Sequence, residues 1–256
     1  MNYFFGVNNN IFKSEVQIPL FQNRSRKPEN LKLFKCFPKN KKWIIEQINN
    51  RKVNDYFCIL KNLDVQNNEM YFLAENKDLE KFDGTKLKNF NNFTETSPDF
   101  RANLKIFLGE SEENGFSSYQ SEYPFSMISK KGTILTPVNS IANKEADKNY
   151  ILIRNIFENP IDETFNAYLV NIKRKKIEEK YELKTNFTNM IELKNELIKP
   201  EIFLTTDSYL GVPIFISVKN QFISFEHTHP LHEYILSTDK FVKVSELKKE
   251  INEIVN

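Results

Sequence analysis

From residue 149 to 236 the apolar positions come in short runs, four to eight residues long, rich in β-branched and aromatic side chains. Ile151–Ile156, Ala167–Ile172, Lys180–Lys184, Met190–Leu193, Ile202–Thr205, Ile214–Val218 and Phe222–His229 are predicted as strands. The breaks between them carry turn chemistry: Asn159-Pro160, the Lys173–Lys176 run and Lys219-Asn220. Regular short strands of this kind point to a sandwich or barrel. Helical spacing is rare. Trp43–Ile48 is predicted as one short helix. A second lies at the C-terminal end, with Ser245 as N-cap and Leu247, Ile251, Ile254 and Val255 along one face. Such a helix packs on its own domain or serves as a dimerisation device.

The chain also resembles itself. Ser118-Tyr-Gln-Ser-Glu-Tyr-Pro124 pairs with Ser224-Phe-Glu-His-Thr-His-Pro230, and Asn89–Glu95 with Asn186–Glu192. Tyr71-Phe-Leu pairs with Tyr168-Leu-Val, Lys61-Asn-Leu with Arg154-Asn-Ile, and Pro98-Asp-Phe with Pro200-Glu-Ile. All five pairings keep their order, at offsets of 93 to 106 residues. This is the signature expected of an internal repeat. The predicted fold is mainly β: two tandem, internally duplicated β-sandwich-like units with a C-terminal helix. The boundaries are an N-terminal extension at 1–51, a first β unit at 52–138, a second at 149–236 and the helix at 239–256.

Composition narrows the chemistry. Six glycines leave little room for a phosphate-cradling loop, and there is no GxGxxG, Walker or Gly-x-Ser-x-Gly pattern. No nucleotide cofactor is expected. A net charge of +2 gives no global field toward nucleic acid. Residues 24–42 hold eight lysines and arginines against Glu29 alone, a local +7, with Leu31, Leu33, Phe34 and Phe37 interleaved. We read this as an amphipathic element with a lysine-rich exposed side rather than as an anion site. Cys36 and Cys58 form no CxxC pair, so free thiols are expected. The first residues lack a basic region followed by a long apolar one, and no apolar run approaches the roughly 20 residues that span a bilayer. A cytoplasmic protein with no membrane span is the expectation.

All three histidines fall within six residues, at His227, His229 and His232. On a strand, His227 and His229 share a face, with Glu226 and Thr228 on the other. Pro230 ends the ladder, so a turn there can bring His232 back toward the pair. Three readings follow. His227, His229 and His232 form a metal site for zinc, iron or manganese, with Glu226 or Glu233 in support. Alternatively, Tyr119, Gln120, Tyr123, Glu226, His229 and Tyr234 bind a polar small molecule or glycan without metal. In the third reading the imidazoles serve structure alone. The stretch Tyr209-Leu-Gly-Val-Pro-Ile-Phe-Ile-Ser217, followed by Phe225-Glu-His-Thr-His229, resembles the terminal strands of sensory rhodopsin transducer-type β-sandwich proteins. That resemblance implies a sandwich with a ligand- or partner-binding role, not a reaction.

The leading functional reading is a soluble, non-enzymatic binding protein for a polar, carbohydrate-like ligand. The alternatives are a metal-dependent hydrolase, lyase or isomerase, and a structural or assembly subunit, including a homodimer. Whether the protein is an enzyme stays open at this point.

Overall fold

The computed structural model describes residues 2–20, 30–49, 52–53, 57–61, 64–89, 104–109, 116–119, 122–227 and 231–256. The chain is mainly β and forms two compact units. The first comprises Met1–Lys130 with Ile156–Asp162 and Asn186–Thr188; the second comprises Lys131–Asn155, Glu163–Thr185 and Asn189–Asn256.

The first unit contains strands β1 (Asn2–Phe4), β2 (Phe12–Pro19), β3 (Lys32–Lys39), β4 (Lys42–Gln47), β5 (Lys52–Val53) and β6 (Phe57–Lys61). They are followed by β7 (Met70–Ala74), β8 (Leu104–Leu108), β9 (Phe116–Tyr119) and β10 (Glu122–Pro124). One sheet runs β10-β1-β7-β3-β4, the other β5-β6-β2-β8-β9. Residues 1–51, set apart above as an extension, thus supply four strands to these sheets. The basic segment enters as β3, where Leu33, Phe34 and Cys36 are buried and the lysines lie at the margin or the hairpin tip. Its residues 24–29 lie outside the described ones. Both cysteines are buried thiols outside any disulfide.

Trp43–Ile48 is not a helix. It lies on β4, and the cause is the turn before it: Asn40 and Lys41 take φ of 52° and 59°, setting Lys42 opposite Lys39. Two successive left-handed residues make the tight hairpin whose twist suits paired strands. A six-residue aromatic and β-branched run gains more from that ladder than from a helix too short to nucleate.

The second unit has β11 (Leu135–Pro137), β12 (Lys148–Arg154), β13 (Thr164–Asn171), β14 (Lys176–Lys184), β15 (Thr188–Leu193), β16 (Ile202–Thr206), β17 (Val212–Lys219) and β18 (Phe222–His227). Helix α1 (Asn76–Leu79) is a single turn in the first unit, and α2 (Lys240–Val255) closes the chain. Each of the seven strands predicted between residues 151 and 229 has a counterpart among the described residues, the last as far as His227. The Lys173–Lys176 run starts inside the β13–β14 hairpin tip, where Asn171 Oδ1 accepts the Arg174 amide at 2.9 Å and Lys175 has φ 51°. The expected C-terminal helix begins at Lys240, five residues before Ser245, with Asp239 at its N-cap.

The sheets of this unit run β11-β16-β13-β14 and β15-β12-β17-β18. Setting aside β5 and β10, the orders β1-β7-β3-β4 and β6-β2-β8-β9 of the first unit coincide with these, strand for strand in chain order. The sequence pairings above do not follow that correspondence. Tyr71 is on β7 and Tyr168 on β13, whose counterpart is β3; Lys61 is on β6 and Arg154 on β12, whose counterpart is β2. Ser118 and Ser224 do lie on counterpart strands, β9 and β18, but on opposite faces. Ser118 pairs with Lys105 on the outer face of its sheet, whereas Ser224 pairs with Ser217 on the core-facing side. The two remaining pairings run largely through 90–100, outside the described residues.

Both sheets of the second unit feed one apolar cluster, with Phe165, Ala167, Leu169 and Leu204 from one and Ile151, Ile153, Ile191 and Phe215 from the other. The alternate residues of β13, Tyr168 and Val170, point away and pack with Phe203 beneath Leu247, Ile251, Ile254 and Val255 of α2. Helix α2 therefore covers the outer face of the β11–β14 sheet with the stripe its spacing predicted.

Leu169→Ala should cost about 2–5 kcal/mol in urea unfolding, because it opens a cavity in the shared core. The fully exposed Leu236→Ala should stay within about 0.5 kcal/mol. Similar costs for the two would contradict the assigned core. Tyr209 gives a second check. Its hydroxyl donates to Glu163 Oε2 at 2.7 Å, and this bond, together with burial, pushes the phenol up to about 12. An unfolded phenol titrates near ~10. The folded value is the higher, so the contribution is complete below about pH 10 and lost as pH rises toward ~12. Tyr209→Phe should be less stable than wild type at neutral pH, with the gap closing across that alkaline window. A gap independent of pH would show that the hydroxyl bond is not the source.

Candidate functional site

Strand β18 is an edge strand, joined to β17 by a tight turn at Asn220, φ 56°, that sets Phe222 opposite Lys219. The register then places Phe225 opposite Ile216 and His227 opposite Ile214, all on the face turned away from the shared core. Phe225 is buried there and His227 half-buried at the strand's last residue. Glu226 belongs to the other face, opposite Phe215, but the edge position leaves it exposed. Its Oε1 accepts the His227 amide at 2.9 Å and lies 3.1 Å from His227 Nδ1. In a neutral imidazole this contact keeps the proton on Nδ1 and makes Nε2 the acceptor nitrogen. That is the orientation in which a carboxylate prepares a histidine for a metal or for a ligand's donor group.

Thr228, His229 and Pro230 lie outside the described residues, as does Gln120. The chain resumes in a 3-10 turn, Leu231–Glu233, whose Leu231 packs on the cluster beneath α2. His232 is half-buried, its ring 5.1 Å from that of Phe241 in the first turn of α2. Tyr234 follows, its amide bonded to the Leu231 carbonyl at 3.1 Å and its side chain exposed. Glu226, His227, His232 and Tyr234 are thus carried by one unit, on the end of β18 and the turn that leads into α2.

The tyrosines proposed from the other half of the chain have different settings. Tyr123 is on β10, opposite Tyr3 of β1, with a side chain only 1% exposed. Tyr119 is the last residue of β9, in register with Leu104. Both belong to the first unit. Among the described residues, no three His, Cys, Asp or Glu side chains are grouped to hold a metal ion. No described helix is long and apolar enough to cross a membrane.

Two polar clusters were not anticipated. In the first unit Lys35 Nζ bonds Glu69 Oε1 at 3.0 Å and pairs with Glu46 at 3.2 Å, while the Tyr71 hydroxyl donates to Glu69 Oε2 at 2.7 Å. Burial pulls the Lys35 ammonium down, but the two glutamates outweigh it and hold its pKa above the ordinary lysine value. In the second unit Ser217 Oγ donates to Asn149 Oδ1, and Asn149 Nδ2 donates to Asn195 Oδ1 at 2.8 Å. The side chains of both clusters are matched internally, as buried polar groups must be, and neither presents a reactive group. A sequence signal for them exists only in retrospect: a polar residue at a core position of a strand.

No family model, curated protein or solved structure matches this chain. The likeness of residues 209–217 and 225–229 to transducer-type sandwiches is carried by those residues alone.

Proposed function

We propose that this protein is a non-enzymatic binding module that takes a polar, glycan-like ligand at the histidine-bearing end of β18. The observation that carries the reading is the pairing of the exposed Glu226 with the half-buried His227 at 3.1 Å, on an edge strand that precedes His232 and Tyr234 in the chain. A carboxylate, the imidazole that it orients, a second imidazole and an exposed phenol supply both donors and acceptors, which suits hydroxyl-rich ligands. His229 belongs to the same segment in this reading. Tyr119 and Gln120 would take part only as an extension of it, and the enclosed side chain of Tyr123 supports a core role.

The coinciding strand orders support a further element of the proposal: the units are tandem copies of one sandwich-like body. In that case the histidines are a specialisation of the second copy, since β9 (Phe116–Tyr119), the counterpart of β18, carries none. The shared apolar cluster of the second unit, fed by both of its sheets, supports the sandwich description there.

The same carboxylate–imidazole contact favours one second reading, a divalent metal held by His227, His229 and His232. Elemental analysis of untagged protein, alongside a glycan array, separates the two. The binding reading expects no stoichiometric metal and glycan binding that is lost in His227→Ala and Tyr234→Ala. Zinc, iron or manganese at one per chain, removed by His227→Ala/His229→Ala, would replace it with the metal reading. If no glycan binds, no metal is found and the double variant unfolds, the histidines are structural and both readings fall.

A further inference from the structure

Helix α2 has two stripes. Leu247, Ile251, Ile254 and Val255 pack on the sheet below. On the opposite side Phe241, Val242, Ser245, Glu246, Lys249, Asn252, Glu253 and Asn256 are exposed. Within the outer stripe, Val242, Glu246, Lys249 and Glu253 recur at spacings of four, three and four, the seam period of paired helices. The N-terminal end of this stripe is apolar: Phe241 is 63% exposed and Val242 57%, and Leu236 just before the helix is fully exposed. Its C-terminal end is polar and open, carrying Ser245, Lys249, Asn252, Glu253 and Asn256. One helix therefore carries an apolar end and a polar, charged end on the same line.

We propose that the outer stripe of α2 is an interface for a second copy of this chain, packed antiparallel about a two-fold axis near residues 247 and 248. That axis sets Glu246 of each copy against Lys249 of the other. It lays Phe241 and Val242 over Asn252, Glu253 and Asn256 of the second copy. Two-fold contacts must be self-complementary, and this stripe is so in charge where Glu246 meets Lys249. Opposed helix dipoles add to the match. An anionic surface is the weaker partner. Between residues 226 and 249 four acidic residues (Glu226, Glu233, Asp239, Glu246) offset four lysines (Lys240, Lys243, Lys248, Lys249), so the face has no net positive charge. The interface uses no histidine; its Phe241 also lies against the His232 ring, but the variants that test it are at Val242, Glu246 and Lys249 and leave the ligand reading untouched.

The patch is small, so the dimer should be at the weak end of specific interfaces, with a Kd of ~10 µM. Sedimentation velocity on the full chain from ~1 to ~100 µM should show a reversible monomer–dimer equilibrium across that range. Glu246→Lys should weaken dimerisation at least ~10-fold, because it sets like charges together twice. Glu246→Lys/Lys249→Glu should restore it, and Val242→Ser should weaken it without changing the thermal midpoint of the monomer. All three positions are exposed, so folding is not at stake. A monomer at every concentration would overturn the proposal, as would a dimer indifferent to Glu246→Lys or not restored by the charge exchange. Monomeric protein that sediments with phosphatidylserine vesicles but not with phosphatidylcholine vesicles would reassign the patch to a lipid surface.

Discussion

Strand β13 has to hide both of its faces, and much of the second unit follows from that. Ala167 and Leu169 face the shared core while Tyr168 and Val170, on the opposite side, would otherwise lie in water. A strand buried on one side only would alternate apolar with polar; this one reads as a continuous apolar run, which demands cover on both sides. The sheet containing β12 supplies one cover and α2 the other. Once α2 is pinned over Tyr168, Val170 and Phe203, its first turn is fixed in place. Phe241 then holds the ring of His232, and the 3-10 turn holds Leu231 in the same cluster. The position of His232 is thus a consequence of covering one strand.

The legible part of the sequence was the part governed by local rules. Seven strands of the second unit were read from run length, β-branching and turn residues, because hairpins with short tips leave those signals intact. Trp43–Ile48 shows the limit of such reading. Apolar spacing over six residues cannot separate helix from strand, and the deciding residues, Asn40 and Lys41, precede the run. The bounds expected for the C-terminal helix, 239–256, match α2, but its cap was misplaced: Ser245 is a good cap in isolation, yet the helix continues upstream through Phe241 and Val242 to Asp239.

The two units share a strand order but not the side chains at corresponding positions, so residue-by-residue pairing misplaces most of the correspondence. The outer faces illustrate the difference. On β2, Glu15 stands between Lys61 and Lys105 at 3.7 and 3.5 Å, a charged row on a half-exposed face. On its counterpart β12 the outer face carries Tyr150 and Leu152, both buried. Alternation preserves the existence of two faces, and solvent exposure decides the chemistry of each.

The candidate site was legible only in place, because three histidines in six residues need no structure to be noticed. What they do depends on an edge. An edge strand leaves backbone groups without a ladder partner, and charged or polar side chains there guard against unwanted pairing. Glu226 performs that duty whatever else it does, since its carboxylate accepts the His227 amide rather than leaving it to another strand. Guarding an edge takes one charge, however. It requires neither an imidazole locked into one tautomer nor a second imidazole on the turn beyond. That surplus of oriented polar groups over what the edge demands is the argument for a bound ligand.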